Sequence, residues 1–282
     1  MRKHLNKFDS ALPLVSIITI TLNEEDTIEK TINSVLKQTY SNIEYILIDG
    51  GSLDNTIEII NHYEKDISHF VSEQDDGVMD AFNKGLALCS GEIIGIINGN
   101  DYYSVQAVER VVANYKKYGD GVFYFGDCVL TNKDGSVRGV SRVTNKESFF
   151  FMKSGLSIPF PSVFVPRAIY KKCGNFDLQY SIAGDYDFLY RLVKIYKIDF
   201  IYIREELSFF RDGGISSNIP KTSRECHLVR INNGANKFES KMYFVKTIVF
   251  YYLSMTLTYL KADFVLSFYR KYIIKTHKQR AE

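Results

Sequence analysis

Apolar runs rich in β-branched residues alternate with amphipathic segments through the first part of the chain, and this alternation constrains its fold more than any other feature. Residues 15–20 form the first run, and the apolar side chains of residues 28–36 recur at the spacing of one helix face. Strands that are apolar along their whole length and alternate with helices predict a mostly parallel sheet buried on both faces. The sequence predicts further strands at residues 45–48, 70–72 and 93–97 and helices at residues 56–63, 79–88 and 108–118.

The loops after the four predicted strands form the candidate site, because ligands of parallel sheets bind beyond the carboxyl ends of the strands. These loops are residues 21–24, 49–54, 73–77 and 98–101, and each is short, polar and acidic. One such loop is commonly only a turn whose Asp, Asn or Ser caps the next helix. Several of them at one edge of one sheet favour a shared binding site.

From about residue 121 the chain becomes more aromatic, and its pattern predicts more antiparallel pairing. Residues 122–125 and 128–130 predict two strands, and residues 132–135 have the composition of a hairpin loop. An Asp-containing segment at residues 184–187 is followed by apolar residues at helical spacing. The second half therefore predicts a mixed sheet with a helix after the acidic segment.

The net charge of the chain is +2, which is too balanced for a general nucleic-acid binder. Residues 241–282 nevertheless carry eight Lys or Arg against two acidic residues, so the excess of positive charge lies in the tail. The four cysteines lie far apart and form no CxxC pair, which predicts buried thiols. The N-terminus has no apolar stretch of signal-peptide length, and Lys246 interrupts the apolar segment 243–260, so we expect a cytoplasmic protein.

Seven motifs, taken in order and spacing, resemble those of the family 2 glycosyltransferases. They lie at residues 16–24, 38–40, 48–54, 75–85, 90–92, 174–177 and 183–187, and the resemblance covers residues 13–217. It implies the GT-A fold, a Rossmann-like, mostly parallel sheet with helices on both faces and a more antiparallel acceptor half, and beyond it the spacing of apolar residues predicts a helical C-terminal tail. We therefore expect an extension at 1–12, a nucleotide-sugar-binding half at 13–120, an acceptor-binding and catalytic half at 121–218, and a basic helical segment at 219–282 that could contact a membrane.

The branch of the family that the chain looks most similar to builds bacterial capsule, O-antigen or exopolysaccharide units. The resemblance implies an inverting transferase that moves a sugar from a nucleotide sugar, such as a UDP-sugar, to a saccharide or lipid-linked saccharide. An alternative from another class is a nucleotide-sugar-binding protein without catalysis. A dinucleotide oxidoreductase is excluded, because residues 21–26 hold no glycine and so lack the glycine-rich turn that such enzymes need.

Polar side chains of the loops are the candidates for holding the donor, since hydroxyl, amide and carboxylate groups suit a nucleoside and a sugar. The resemblance makes Asp49 the nearest to the nucleotide, whereas Gly50 stands where many relatives have a second aspartate. Arg211 begins a glycine-containing loop that resembles the one closing over the diphosphate, and the alternative is a flexible surface turn. The donor-binding candidates are Thr21, Asn23, Glu24, Asp49, Ser52, Asp54, Asp75, Lys84, Asn98 and Arg211.

The family usually holds Mg²⁺ or Mn²⁺ at an Asp-x-Asp motif after the fourth strand, where the ion offsets the charge of the leaving diphosphate. In this chain Asn100 stands where the metal-binding aspartate is expected, and Asp101 follows it. The resemblance thus makes Asn100 and Asp101 the candidate ligands of a divalent metal. The alternatives are an ion bound only together with substrate phosphates, and a loop that ends the strand and caps a helix.

Asp185 is the candidate general base, because it aligns with the acidic residue that accepts the acceptor proton in inverting relatives. A positioned base contributes roughly 10²–10⁴-fold to a rate. The alternative is that Asp185 is the N-cap of the helix after it, and Asp187 is expected only to support the site. A pure binding protein needs no base at this position, so Asp185 favours the enzyme.

The basic tail predicts contact with an anionic membrane surface, which would make the protein peripheral on the inner face of the membrane. Its aromatic and aliphatic residues recur at near-helical spacing before a basic end. The alternatives are packing against the catalytic domain and a dimer interface. The residues concerned are Phe244, Ile248, Tyr251, Tyr252 and Leu253, with Lys271, Lys275, Lys278 and Arg280 at the basic end.

Overall fold

A computed structural model describes residues 8–9, 11–142 and 158–260. The strands are β1 (Val15–Thr21), β2 (Ile43–Asp49), β3 (His69–Ser72), β4 (Ile93–Asn98), β5 (Tyr102–Tyr103), β6 (Val122–Thr131), β7 (Val137–Ser141), β8 (Val163–Pro166) and β9 (Asp199–Arg211). The helices are α1 (Ile28–Leu36), α2 (Thr56–Asn61), α3 (Val78–Leu88), α4 (Ala107–Tyr118), α5 (Arg167–Cys173), α6 (Gly184–Tyr190), α7 (Ile219–Asn232) and α8 (Lys237–Tyr259). Short 3₁₀ turns lie at Phe160–Ser162 and Ile215–Ser217, and a π-helical turn at Arg191–Ile195 continues α6.

The first half of the chain forms the predicted parallel sheet. β1 pairs in parallel with both β2 and β4, and β3 extends the sheet beyond β2. Alternate residues of these strands face opposite sides: Ile18 and its neighbours pack against α3, whereas Ile17 and its neighbours pack against α1, α2 and α4. Both faces are therefore covered by helices, as the unbroken apolar strands predict.

The second half is mixed rather than simply antiparallel. The strand order is β3-β2-β1-β4-β8-β6-β9-β5, and β7 pairs with β6. β8 runs antiparallel to both β4 and β6, and β7 and β5 are also antiparallel to their partners, as predicted. β9, which the sequence did not predict, runs parallel to β6. The hairpin at residues 132–135 is confirmed, with the N–H of Asn132 donating to the carbonyl of Ser136 at 2.9 Å.

The prediction of two separate strands at 122–125 and 128–130 is wrong, because both belong to the single strand β6. Gly126 and Asp127 interrupt the apolar pattern between them, and the register with β9 shifts at this pair. A side chain at Gly126 would collide with Leu207 of β9. The strand therefore continues through this pair, and the break in the apolar pattern marks an irregularity in its pairing with β9.

Two helices follow the sheet, and α8 packs against α7. The ring of His227 on α7 stacks on Phe244 of α8 at 5.5 Å between centroids. None of the helices in the described part of the chain is long and apolar enough to cross a membrane. The basic end of the predicted tail, with Lys271, Lys275, Lys278 and Arg280, lies outside the described residues.

The four cysteines are free thiols in the structure. Cys128, Cys173 and Cys226 are buried, and Cys89 is half-buried. The prediction of buried thiols is confirmed for three of them.

Candidate functional site

A cavity of about 730 Å³ lies at the carboxyl ends of β1 and β4, and the start of α6 and the loop after β9 close its other sides. This is the edge of the sheet at which the sequence predicts the site. Of the predicted site residues, the structure brings a subset to the cavity: Thr21, Glu24, Asp75, Asn98, Asn100, Asp185 and Arg211. The others, Asn23, Asp49, Ser52, Asp54, Lys84 and Asp101, are not part of its lining.

Asp49 is fully buried, and its carboxylate is occupied by four hydrogen bonds. Its Oδ2 accepts from the N–H groups of Gly51 and Ser52 and from the hydroxyl of Ser72, at 2.7–3.1 Å. Its Oδ1 accepts from the hydroxyl of Ser52 at 2.5 Å. In the structure, Asp49 therefore stabilises the loop after β2 through these hydrogen bonds. Its contact with a nucleoside stays a prediction.

Asn23 and Asp54 join the loops after β1 and β2. The N–H of Asn23 donates to the Ser52 hydroxyl, and the N–H of Leu53 donates to Asn23 Oδ1, both at 2.8 Å. Asn23 has a positive φ of 53°, which asparagine tolerates better than most residues. Asp54 accepts from the N–H groups of Thr56 and Glu25 at 3.0 and 3.2 Å. These polar residues hold the cavity wall in place from behind.

Asp75 takes the room that a side chain at Gly50 would need. A Cβ on Gly50 would lie 2.5 Å from Asp75 Oδ2, which is closer than carbon atoms approach oxygen. The other oxygen of Asp75 accepts from the N–H of Gly77 at 3.0 Å, which fixes the turn into α3. The absence of a side chain at Gly50 therefore leaves space for the Asp75 carboxylate, which lines the cavity from the loop after β3.

Thr21 and Glu24 line the cavity from the loop after β1. The Thr21 hydroxyl is buried and has no hydrogen-bond partner among the described residues, which is rare for a buried polar group and leaves it available to a ligand. Burial raises the pKa of Glu24, although the hydrogen bond from the Thr27 hydroxyl, 2.9 Å long, and the charge of Arg211 oppose the rise. The Thr21 hydroxyl can donate to or accept from a bound sugar nucleotide, and the Glu24 carboxylate can accept from one.

The loop after β4 does not assemble a set of metal ligands. Asp101 is fully buried, and its carboxylate accepts from the backbone N–H of Arg211 at 2.8 Å and from Asn98 Nδ2 at 2.9 Å. Asn100 reaches the cavity with a neutral amide. No group of three His, Cys, Asp or Glu side chains with the geometry of a metal site occurs in the part of the chain that the structure describes. This donor set does not fit a divalent ion held by the protein alone.

The helix-capping alternative for this loop is wrong. Asn98 ends β4 and accepts the N–H of Asp101 through its carbonyl at 3.0 Å, and the next element is the strand β5. Instead of capping a helix, Asp101 ties the loop after β4 to Arg211 at the end of β9.

Arg211 lines the cavity at the start of the glycine-containing loop. Its guanidinium donates to the carbonyl of Lys133 through Nε at 2.9 Å and through Nη2. Lys84, by contrast, is turned away and is paired with Glu73 and Asp80 at 2.9 and 3.1 Å. Arg211 is therefore the predicted cation that reaches the cavity, whereas Lys84 fastens α3 to the loop before it.

Asp185 lies in the first turn of α6 and lines the cavity. The N-cap of α6 is Ala183, so the alternative that Asp185 caps the helix is wrong. Its Oδ1 accepts from the N–H of Tyr186 at 2.7 Å, and no side chain in the described ranges donates a hydrogen bond to it. Burial, with a smaller contribution from the charge of Glu225, raises the pKa of Asp185 to about 7. The carboxyl group is thus able to take up a proton near neutral pH.

Asp187 does a different job on the same helix. It is buried, and its carboxylate accepts from Arg191 Nε at 2.7 Å and from Asn233 Nδ2 at 2.9 Å. Arg191 in turn donates to the carbonyls of Cys173 and Asn175. Asp187 therefore supports the site from behind, as the sequence predicts.

Two features of the site were not predicted from the sequence. One is an apolar wall beside Asp185, whose residues carry the periodicity of ordinary core positions: Met79, Phe82, Phe160, Ile182, Tyr186 and Cys226. The other is Glu225 on α7, which accepts hydrogen bonds from the segment just before Asp185. Nothing in the local sequence pattern marks Glu225, because its partners lie more than forty residues away.

Comparison with known proteins agrees with this geometry. Residues 16–171 match the sequence profile of Glycosyl transferase family 2. An uncharacterized glycosyltransferase of Mycobacterium tuberculosis is 31% identical over 215 residues, covering 74% of this chain and 79% of that protein. A PGL/p-HBAD biosynthesis glycosyltransferase of Mycobacterium bovis is 25% identical over 217 residues, covering 74% and 81%.

Solved structures of low sequence identity share the fold. The mannosyltransferase PcManGT of Pyrobaculum calidifontis, in complex with GDP-Man and Mn²⁺, superposes with a TM-score of 0.62 at 15% identity, covering 96% of this chain and 85% of that one. TarS 1-349 of S. aureus, in complex with UDP-GlcNAc, gives a TM-score of 0.61 at 16% identity, covering 83% and 71%. The mixed α/β sheet described above is the sheet of these enzymes.

Proposed function

The chain belongs to glycosyl transferase family 2 and has the GT-A fold, and we propose that it transfers a sugar from a nucleotide sugar to an acceptor hydroxyl with inversion at the anomeric carbon. The observation that carries this proposal is Asp185, a carboxyl group with a pKa of about 7 that lines the same cavity as Thr21, Glu24 and Arg211. A non-catalytic sugar-nucleotide binder has no use for a proton acceptor placed there.

The reaction proceeds in one displacement. The acceptor hydroxyl oxygen attacks the anomeric carbon from the face opposite the diphosphate, and the bond from that carbon to the diphosphate oxygen breaks. Asp185 accepts the hydroxyl proton, and the electron pair of the broken bond leaves with the nucleoside diphosphate. With a pKa of about 7, a large fraction of Asp185 is deprotonated at neutral pH, and the carboxylate is still basic enough to accept the hydroxyl proton.

Arg211 and the loop that follows it suit the diphosphate. The guanidinium brings positive charge to the cavity, and Gly213 and Gly214 next to it let backbone N–H groups approach a phosphate oxygen. Asp101 holds the Arg211 backbone in place through the hydrogen bond of 2.8 Å. A divalent ion, where one binds with the donor, would add further positive charge. The described side chains do not form a set of ligands that would hold such an ion without the substrate.

A UDP-sugar is the proposed donor, and the cavity wall formed by Thr21, Glu24, Asp75 and Asn98 is its proposed binding surface. Hydroxyl, carboxylate and amide groups of this kind pair with a nucleoside and with sugar hydroxyls. The experiment is to measure nucleoside diphosphate release from a panel of UDP-, GDP- and dTDP-sugars, with Mn²⁺ and with EDTA. We expect the parent to release UDP from a UDP-sugar, and we expect Asp185→Asn to abolish this release. Binding of a sugar nucleotide without any release, in the presence of saccharide acceptors, would favour the non-catalytic alternative.

The acceptor that we propose is a saccharide, free or lipid-linked, used in the synthesis of a bacterial surface polysaccharide or glycolipid. The support is the family membership and the relative named for PGL/p-HBAD biosynthesis. An enzyme that acts on a lipid-linked acceptor gains from lying on the membrane, and the exposed face of α8 offers a surface for that contact.

We propose that α8 and the basic tail dock on an anionic lipid surface. The five aromatic and aliphatic residues that the sequence predicts for this contact differ in exposure. Phe244, Ile248 and Tyr251 are half-buried, whereas Tyr252 and Leu253 are exposed. The exposed face also includes Met242, Val245 and Val249, each about half accessible to solvent. Residues 241–282 carry a net charge of +6, which complements anionic headgroups.

The test is co-sedimentation of the full chain with vesicles of phosphatidylcholine alone or with phosphatidylserine added. Each basic residue near an anionic surface contributes about 1 kcal/mol, so the triple variant Lys271→Glu, Lys275→Glu and Lys278→Glu should lose at least about a hundredfold in affinity. The matched control reverses three exposed charges elsewhere, Lys65→Glu, Lys116→Glu and Lys117→Glu. Equal loss in both variants, or no binding by the parent, would overturn the docking proposal.

A further inference from the structure

Glu225 of α7 reaches across to the segment that leads into α6. Its Oε2 accepts from the backbone N–H of Ile182 at 2.7 Å and of Ala183 at 2.9 Å. Its Oε1 accepts from the hydroxyl of Ser181 at 2.6 Å. One carboxylate thus holds three consecutive residues, and the last of them is only two positions before Asp185.

The start of α6 has no side-chain cap of its own, and Glu225 instead fixes the residues that lead into the helix. The N-cap residue is Ala183, whose side chain cannot accept a hydrogen bond from the first turn. A side chain at Gly184 would collide with the sulfur of Met79 on α3, so the segment lies tightly against α3. Two contacts therefore fix the segment that carries Asp185: the close approach of Gly184 to Met79 and the hydrogen bonds of residues 181–183 to Glu225.

The charge of Glu225 also acts on Asp185. Burial works to raise the pKa of Glu225, but the hydrogen bonds from Ser181, Ala183 and Ile182 outweigh it, and the pKa of Glu225 is lowered. Glu225 is therefore ionised at neutral pH. Its negative charge disfavours a second negative charge on Asp185 and adds to the effect of burial, which is the larger cause of the raised pKa of Asp185.

We propose that Glu225 is the positioning residue for Asp185: it fixes the backbone that presents the base and keeps a negative charge beside it. This inference rests on the proposed function, since it takes Asp185 to be the proton acceptor. A base held about 1 Å out of place can lose about 10²-fold in rate, so the hydrogen bonds of Glu225 bear directly on turnover. The neighbouring charge makes Asp185 a stronger base.

Other ionisable groups face Asp185, and their charge states must be known before a pH profile is assigned to it. α7 contributes Glu225 and the thiol of Cys226, whose raised pKa keeps it neutral near pH 7. α6 contributes the phenol of Tyr186, which interacts with Arg230 of α7 and whose pKa is also raised. Among these groups, Asp185 is the one expected to change its charge near pH 7.

The experiment is the pH dependence of kcat/KM for Glu225→Gln, with the sugar nucleotide that the parent uses fastest. Glutamine keeps the shape of the side chain but removes the charge and one acceptor oxygen. We expect kcat to fall about tenfold to a hundredfold, KM for the donor to stay within about twofold, and the acid limb of kcat/KM to move to lower pH. The matched control is Glu58→Gln, an exposed glutamate on α2, which should change none of the three.

Glu225→Asp separates position from charge. It keeps the negative charge on a shorter side chain, so kcat should fall while the acid limb stays near that of the parent. If Glu225→Gln does not fold, as shown by circular dichroism, Glu225→Asp decides the matter, and an unchanged kcat overturns the inference. An unchanged kcat and acid limb in a folded Glu225→Gln overturn it as well.

Failure of this inference is distinguishable from failure of the proposed function. If Asp185→Asn keeps its activity, the assignment of the base is wrong, and the role of Glu225 goes with it. If Asp185→Asn is inactive while Glu225→Gln behaves like the parent, Asp185 remains the base and only the positioning role of Glu225 is lost.

Discussion

The end of β2 and the start of α6 each carry an aspartate, but the two carboxylates differ in what surrounds them. Asp49 is fully buried and accepts four hydrogen bonds from its own loop and from β3. Within the described residues, the Asp185 carboxylate accepts one hydrogen bond, from the N–H of Tyr186, and it lines the cavity. A carboxylate whose oxygens are already occupied organises the backbone, whereas one left open to a cavity is free to react. Substitutions at the two positions should therefore have opposite consequences.

Asp185→Asn should produce the largest effect on activity. The amide keeps the shape of the carboxylate but cannot accept the acceptor proton, so transfer should fall by about 10³-fold. Because Asp185 makes few contacts that stabilise the fold, the melting temperature should stay within about 2 °C of the parent value. Coupled detection of nucleoside diphosphate and differential scanning fluorimetry measure the two quantities. Activity within tenfold of the parent would remove Asp185 from the role of base.

Asp49→Asn should do the reverse. The amide nitrogen cannot accept the hydrogen bonds that one carboxylate oxygen now receives, and buried donors that lose their partner cost about 1–3 kcal/mol each. We expect the free energy of unfolding to fall by about 3 kcal/mol, with kcat little changed at a temperature at which the variant is folded. Urea denaturation measures the loss, and the exposed Asp66→Asn is the matched control. Full stability with lost nucleotide binding would show that Asp49 acts on the ligand.

Asn100→Asp adds a carboxylate to the cavity at the loop after β4, and its expected effect is smaller. The substitution places a charged oxygen in the cavity where the chain has a neutral amide, and divalent ions prefer such ligands. Binding of UDP, measured calorimetrically, should become about tenfold tighter with Mn²⁺ than with EDTA in the variant and stay within about twofold in the parent. The remote Asn61→Asp is the control. A parent that already shows the full dependence on Mn²⁺ would place the ion on other ligands.

The sheet and its helices could be predicted because their signals are local. Unbroken β-branched runs and apolar residues at helical spacing follow directly from burial on both faces, and they gave β1 to β4 and α1 to α4. The rule that ligands bind at the carboxyl ends of the strands then located the cavity. The parallel pairing of β9 with β6 was missed, because the pairing of two distant strands has no local pattern.

The site was predicted only in part, for a related reason. A polar residue in a loop shows its type in the sequence but not its partners, so Asp49 and Asp101 looked as available as Asp75 and Asp185. Asp101 proves to be satisfied by Arg211, which lies 110 residues along the chain. Glu225 was missed because its hydrogen bonds join α7 to residues 181–183, a contact that only the folded chain creates.

The pH dependence of kcat/KM in the parent enzyme tests the central claim most directly, since it reports the ionisation of the base in the free enzyme. The deprotonated form of Asp185 is the active one, and its pKa is raised to about 7. We therefore expect kcat/KM to rise about tenfold per pH unit below this pKa and to level off above it. A value of kcat/KM that stays constant between about pH 5 and pH 9 would contradict the assignment of Asp185 as the base.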